Sequence, residues 1–130
     1  MQKYFGGVKM HQSSIFHLET AIKDFDKYII MYISSNIPKV RRNLKIHLED
    51  ECYNLVRYLY EAIYTKGNIR AKNITEMLVI CSLIDHFLEQ LKEDKNINKK
   101  KLENSIFKLT EIKNMTRGWK ESHEQKEKKC

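Results

Sequence analysis

Apolar residues recur at intervals of three and four in four successive stretches, and that spacing limits what this chain can become. In the first stretch Ile15, Leu18, Ile22, Phe25, Ile29 and Tyr32 fall along one side of a helix with 3.6 residues per turn. The second carries Val40, Leu44, Leu48, Cys52, Leu55, Leu59, Ala62 and Ile63. The third has Met77, Leu78, Cys81, Ile84, Leu88 and Leu91, and the fourth Leu102, Ile106, Leu109, Ile112, Met115 and Trp119. None alternates with the period of two that a half-buried strand requires.

The breaks between stripes have their own chemistry. Ser34-Ser35-Asn36-Ile37-Pro38 contains the only proline, which cannot continue a helix from upstream but suits the first turn of the next. A second helix is therefore expected from near Lys39 to the glycine stop at Gly67. Asn68 or Asn73 would cap the third, Asn73-Ile74-Thr75-Glu76 having capping-box spacing. Glu93-Asp94-Lys95-Asn96 interrupts the stripe again, and the fourth helix is expected from near Asn98. Short links make neighbouring helices antiparallel. The expectation is thus all-α: one up-down-up-down antiparallel four-helix bundle over residues 15–121, after an N-terminal extension (1–14) and before a mobile charged tail (122–130), where ESHEQKEKKC has no apolar stripe.

Several function classes drop out. No apolar run approaches the roughly 20 residues that span a bilayer, and MQKYFGGVKMHQSS lacks the apolar block of a signal peptide, so a cytoplasmic protein is expected. Cys52, Cys81 and Cys130 form no CxxC pair and read as reduced thiols. No histidine follows a glutamate by three, HExxH is missing, and each of His47/Cys52 and Cys81/His86 is five apart, on diverging helix faces, so no metal is expected. Gly6-Gly7, Gly67 and Gly118 make no phosphate loop, and no cofactor is expected.

Charge points the other way. The formal charge is +7, and residues 95–130 hold 11 Lys and Arg against 5 Glu, while residues 1–94 are nearly balanced at 13 against 12. Such an excess attracts phosphate polymers or acidic protein surfaces. Two basic sets stand out. After Pro38 come Lys39, Arg41, Arg42 and Lys45 with no acid among them, at a helix start whose free N–H groups and dipole already favour an anion. The second set comprises Lys99, Lys100, Lys101, Lys108, Lys113, Arg117 and Lys120, of which Lys113, Arg117 and Lys120 share one stripe of the fourth helix, a candidate phosphate track. The two sets are expected to meet at one end of the bundle. With no base-reading motif, binding would be dominated by the nucleic-acid backbone. Five tyrosines, Tyr28, Tyr53, Tyr58, Tyr60 and Tyr64, exceed what one bundle core buries and suit an oligomer interface or a bundle edge.

Two other readings stay open. Arg42-Asn43-x-x-x-His47 resembles the arginine, polar residue and histidine spacing of all-helical HEPN-class ribonucleases, with His47 moving a proton and Arg42 holding phosphate; on a helix, though, five residues separate the two side chains by about 140°. A purely protein-binding structural bundle is the other.

The order of a helix ending at Ile37-Pro38-Lys39, a long striped second helix and a fourth closing on Leu-Thr-Glu-Ile-Lys-Asn-Met-Thr-Arg-Gly-Trp resembles the small four-helix bundle family. That family includes ribosomal-RNA intervening-sequence proteins and the accessory variability determinants of diversity-generating retroelements. The resemblance covers about residues 15–121, marked by Pro38-Lys39, Glu111-Ile112 and Gly118-Trp119. It implies a basic homopentamer that binds RNA or DNA and, in the retroelement branch, associates with a reverse transcriptase and its template RNA without being the catalyst. It further implies phosphate contacts at Lys39, Arg41, Arg42, Lys113 and Arg117, and a structural role for Trp119. The third helix departs from the retroelement branch, reading Cys81-Ser82-Leu83-Ile84-Asp85-His86-Phe87 where members can carry arginines.

Overall fold

The computed structural model describes residues 7–129, with side chains from 14 to 128. Among them there is no strand, and four α-helices account for most of the chain: α1 (Gly7–Tyr28), α2 (Arg42–Ile63), α3 (Gly67–Gln90) and α4 (Lys99–Lys129). Residues 1–6 of the expected extension lie outside the described residues, and 7–14 already belong to α1.

The connection after α1 is built from its sequence. The helix widens into a π-helical turn at Ile29–Ile33 and tightens into a 3-10 turn at Ser34–Asn36. Ile37 is then extended (φ −74°, ψ 126°), the region into which a following proline ring forces its predecessor. Pro38 is extended too, and its carbonyl accepts the Arg41 N–H at 2.9 Å, closing a second 3-10 turn over Lys39–Arg41. Regular α2 therefore starts at Arg42 rather than at Lys39. Val40, expected in the core stripe, lies on that turn and is 91% exposed.

Gly67 occupies the next connection, but it opens α3 rather than closing α2. Lys66 is extended, Gly67 has φ +58°, where a side chain would be strained, and the helix proceeds from there. Asn73 is no cap. It lies a turn and a half inside α3, buried, and donates to Thr65 Oγ1 at 3.3 Å. Asn98 does cap α4, its Oδ1 accepting the Lys101 N–H at 3.0 Å. That helix does not stop at residue 121 but runs through the expected tail to Lys129. His123 explains part of this: buried against the α2–α3 connection, its Nε2–H donates to the Gly67 carbonyl at 3.0 Å.

Contacts between opposite helix ends fix the up-down-up-down order. Late α2 meets the middle of α1 where Tyr60 Oη donates to Glu19 at 2.6 Å. Early α2 meets the end of α3 through Arg41, early α3 meets late α4 through Gly67 and His123, and early α4 meets late α1 through Lys101 and Tyr32. The four stripes close on one core, with Leu18, Ile22 and Phe25 of α1, Leu48, Leu55 and Leu59 of α2, Met77, Ile84 and Leu88 of α3 and Leu109 and Ile112 of α4 almost wholly buried. Burying each such side chain contributes roughly 1.5–3 kcal/mol, the dominant stabilising term. Two of the buried polar residues are satisfied within their own helix: Ser105 and Thr116 donate to the Leu102 and Ile112 carbonyls.

Candidate nucleic-acid interface

Each basic side chain takes its role from its place in this frame. Arg41, at the end of the Lys39–Arg41 turn, points across the bundle end. Its Nη1 donates to the Gln90 carbonyl at 3.0 Å and lies 3.8 Å from the nearly buried Asp94 carboxylate. Arg41 thus stabilises the C-terminus of α3, where free carbonyls and the negative dipole end favour a cation. The contact gives Arg41 a structural role beside the phosphate contact expected of it, with about a third of its side chain (34%) still exposed.

Lys39 and Arg42 remain free: both are exposed and neither makes a hydrogen bond or ion pair among the described residues. Lys45, in the first turn of α2, is half-buried. Because α3 ends beside Arg41 and α4 begins one short connection later, Lys99, Lys100 and Lys101 share the same end of the bundle. Lys101 extends over Tyr28, the last residue of α1, and Tyr32 of the π-helical turn, with Nζ 4.0 Å from the Tyr32 ring centroid and 6.0 Å from that of Tyr28. Lys108 adds a second ammonium 5.1 Å from Tyr28. The rings stabilise both cations without neutralising them.

Lys113, Arg117 and Lys120 do not join this group. Lys113 and Arg117 lie on the α3 side of α4, close enough to act on the Cys81 thiol, and Lys120 is paired with Glu124 at 3.1 Å. Helices α2 and α4 run in the same direction in an up-down-up-down bundle, so the start of one and the middle and later turns of the other are separated along the bundle. The expectation that the two basic sets meet is overturned for these three residues; the lysines at the start of α4 meet the Pro38 turn instead. Near the opposite end, Arg70 donates to the Ala62 and Ile63 carbonyls at 2.9 and 3.0 Å, and its guanidinium carbon is 5.9 Å from the Trp119 ring. Trp119 is buried and packs α4 on this corner, whereas Gly118 is exposed with nothing within 4 Å of where a Cβ would stand.

Arg42 and His47 are not brought together. The His47 ring stacks on Phe87 of α3, 17° from parallel with centroids 6.2 Å apart, while Arg42 points to solvent. The two inner thiols are similarly far from reactive: burial pushes Cys52 and Cys81 up, Cys81 to about 12. No group of three or more His, Cys, Asp or Glu among the described residues is placed to hold a metal ion, and no described helix is long and apolar enough to cross a membrane.

Sequence reasoning missed the cross-bundle contacts, since Arg41 and Gln90 are 49 residues apart and no local pattern joins them. It did find the cations at 99–101, but with no means of assigning them to an end. The class defined by this geometry is an all-helical, four-helix chain with a basic end. Searched against protein-family models, curated proteins and solved structures, the chain matches none.

Proposed function

We propose that this protein is a non-catalytic, nucleic-acid-binding bundle whose phosphate-binding surface is the end bearing the Pro38 turn. One observation carries the reading: exposed Lys39 and Arg42 share that end of the bundle with Lys99, Lys100 and Lys101, so cations from two distant segments are gathered at one end. The acids at this end are partly taken up, with Glu93 and Glu103 left exposed among the lysines. Asp94 is taken up by Arg41, and Glu89 by Lys92 at 2.9 Å. A surface of this kind binds through counterion release, with little base preference and strong salt dependence.

Self-association is part of the proposal. Residues 46–90 carry 4 Lys and Arg against 7 Asp and Glu, and α4 carries 10 against 5. The acidic α2–α3 side also exposes Tyr53, Tyr64, Ile69 and Val79. Those exposed apolar residues, below the Pro38 end, suit a head-to-tail contact with the α4 side of the next copy, which closes into a ring when the rotation permits. A ring would repeat the basic end and multiply weak phosphate contacts. By the family resemblance, the ring is a pentamer that acts in the cytoplasm beside a reverse transcriptase, holding its template RNA or cDNA.

The test is binding of fluorescently labelled RNA by the purified protein at about 50 and 200 mM salt. Affinity should fall steeply over that range, and charge reversal at Lys39, Arg42, Lys99 and Lys100 should remove most of it without unfolding the bundle. Negligible affinity at low salt would overturn the reading. Sedimentation showing only monomer at micromolar concentration would overturn the ring.

A further inference from the structure

Below the basic end, on the α2–α3 side, two histidines flank one phenylalanine. His47 stacks nearly parallel on Phe87, and His86 lies 5.8 Å from Phe87 at 53°. Phe87 is the packing member, half-buried against the core, while both histidine rings are exposed and neither makes a hydrogen bond or ion pair among the described residues. Helix packing at this point needs Phe87 and leaves the outer faces of both imidazoles to solvent.

We propose that His47, Phe87 and His86 form a stacking platform for unpaired bases, so that the nucleic acid held at the basic end is single-stranded. The inference rests on the phosphate-binding reading above and names the form of its ligand. The platform's place supports it. His86 is one helical turn before Gln90, whose carbonyl holds Arg41, and His47 is about a turn and a half beyond Arg42, so the platform lies roughly 6–8 Å below the end cations. Phosphates held at Lys39 and Arg42 would bring their bases over the α2–α3 side. Bases of an intact duplex are stacked on one another and cannot reach a lateral platform, whereas unpaired bases stack on flat rings whatever their identity. Asp50 and Glu51, one turn past His47 on α2, and Asp85 and Glu89 beside His86 on α3 place negative charge around the platform, only Glu89 of these being paired among the described residues, with Lys92, and this limits it to one or two bases.

Three probes separate stacking from charge: a short oligouridine, an abasic strand with the same number of phosphates, and a duplex of the same length. The intact protein should bind oligouridine about tenfold more tightly than the abasic strand for each base stacked. A His47→Ala/His86→Ala variant should lose that difference while its affinity for the abasic strand stays unchanged. His47→Phe/His86→Phe should restore it, which a merely structural role for the histidines would not require, and thermal unfolding of both variants checks the fold. Equal affinity of the intact protein for oligouridine and abasic strand would overturn the platform and leave the phosphate-binding reading intact. Failure to bind any probe at about 50 mM salt would overturn both.

Discussion

Arg41 and Arg70 do the same thing at opposite ends of the α2–α3 pair. Arg41, just before α2, donates to the Gln90 carbonyl at the end of α3; Arg70, in the first turn of α3, donates to the Ala62 and Ile63 carbonyls at the end of α2. Each antiparallel partner thus supplies the cation that the other's C-terminus lacks.

That reciprocity predicts a stability cost. Arg70→Ala should destabilise the bundle by about 1–2 kcal/mol in urea unfolding, since it leaves two partly buried carbonyls with fewer donors, and Arg41→Ala by less, because the Gln90 carbonyl it leaves is exposed to water. Arg70→Lys should recover little of the stability, because an ammonium lacks the planar fork by which Nε and Nη2 reach the Ala62 and Ile63 carbonyls together.

The two basic regions should behave differently on RNA. Charge reversal at Lys39 and Arg42 should flatten the plot of log affinity against log salt by about 0.7–0.9 for each phosphate that is no longer neutralised. The same change at Lys113 and Arg117 should leave that slope nearly intact, since those residues lie toward the other end of the bundle. Equal effects from both pairs would show that binding is spread over the surface.

Gly118 offers a gain. It lies inside α4 with open space around the added methyl group, so Gly118→Ala should stabilise the protein by roughly 0.5–1 kcal/mol, seen as a raised urea midpoint with an unchanged slope. A lower midpoint instead would mean that the missing side chain serves a close approach by another molecule.

Cys52 and Cys81 should resist thiol reagents. With Cys130 changed to serine, labelling at pH 8 should proceed only as fast as the core opens, because burial holds both thiols protonated far above that pH. Labelling at the rate of a free thiol in the native protein would contradict the packing.

Asp26 gives the pH dependence a sign. Burial raises its carboxyl above the usual range, so the folded state retains the proton longer than the unfolded chain does. Its contribution to stability is therefore lost as pH rises from the unfolded pKa through the folded one. Asp26→Asn should be more stable than the parent at pH 7, and the gap should close below about pH 4, where the carboxyl is protonated in both states. Glu19 runs the other way. Hydrogen bonds from Tyr60 and Lys23 lower its carboxyl, and what it contributes is present above the unfolded pKa and lost as acid carries it through the folded one.

The helices were legible because burial writes a periodic signal: Leu48, Cys52, Leu55 and Leu59 read as one face from their spacing alone. Their ends were less so. Val40 fits the stripe of α2 but precedes the regular helix, because Pro38 imposes a 3-10 turn first, and Gly67 reads equally well as the end of one helix or the beginning of the next. Residues 122–129 have no apolar stripe of their own, and the helix continues there with His123 docked on a carbonyl 56 residues away. For the same reason the basic residues were visible as a set but not as a surface. Which cations share an end depends on chain direction, and Arg41 could be told from Arg42 only by what lies across the bundle.

One unbroken helix, α4, joins the lysines of the basic end to the Lys113–Lys120 stripe. From Lys99 to Lys120 it rises about 32 Å with no proline or connection to bend it. Lys99 and Lys120 are thus held at a set spacing, and α4 acts as a rigid strut that keeps the basic end and the Trp119 corner apart.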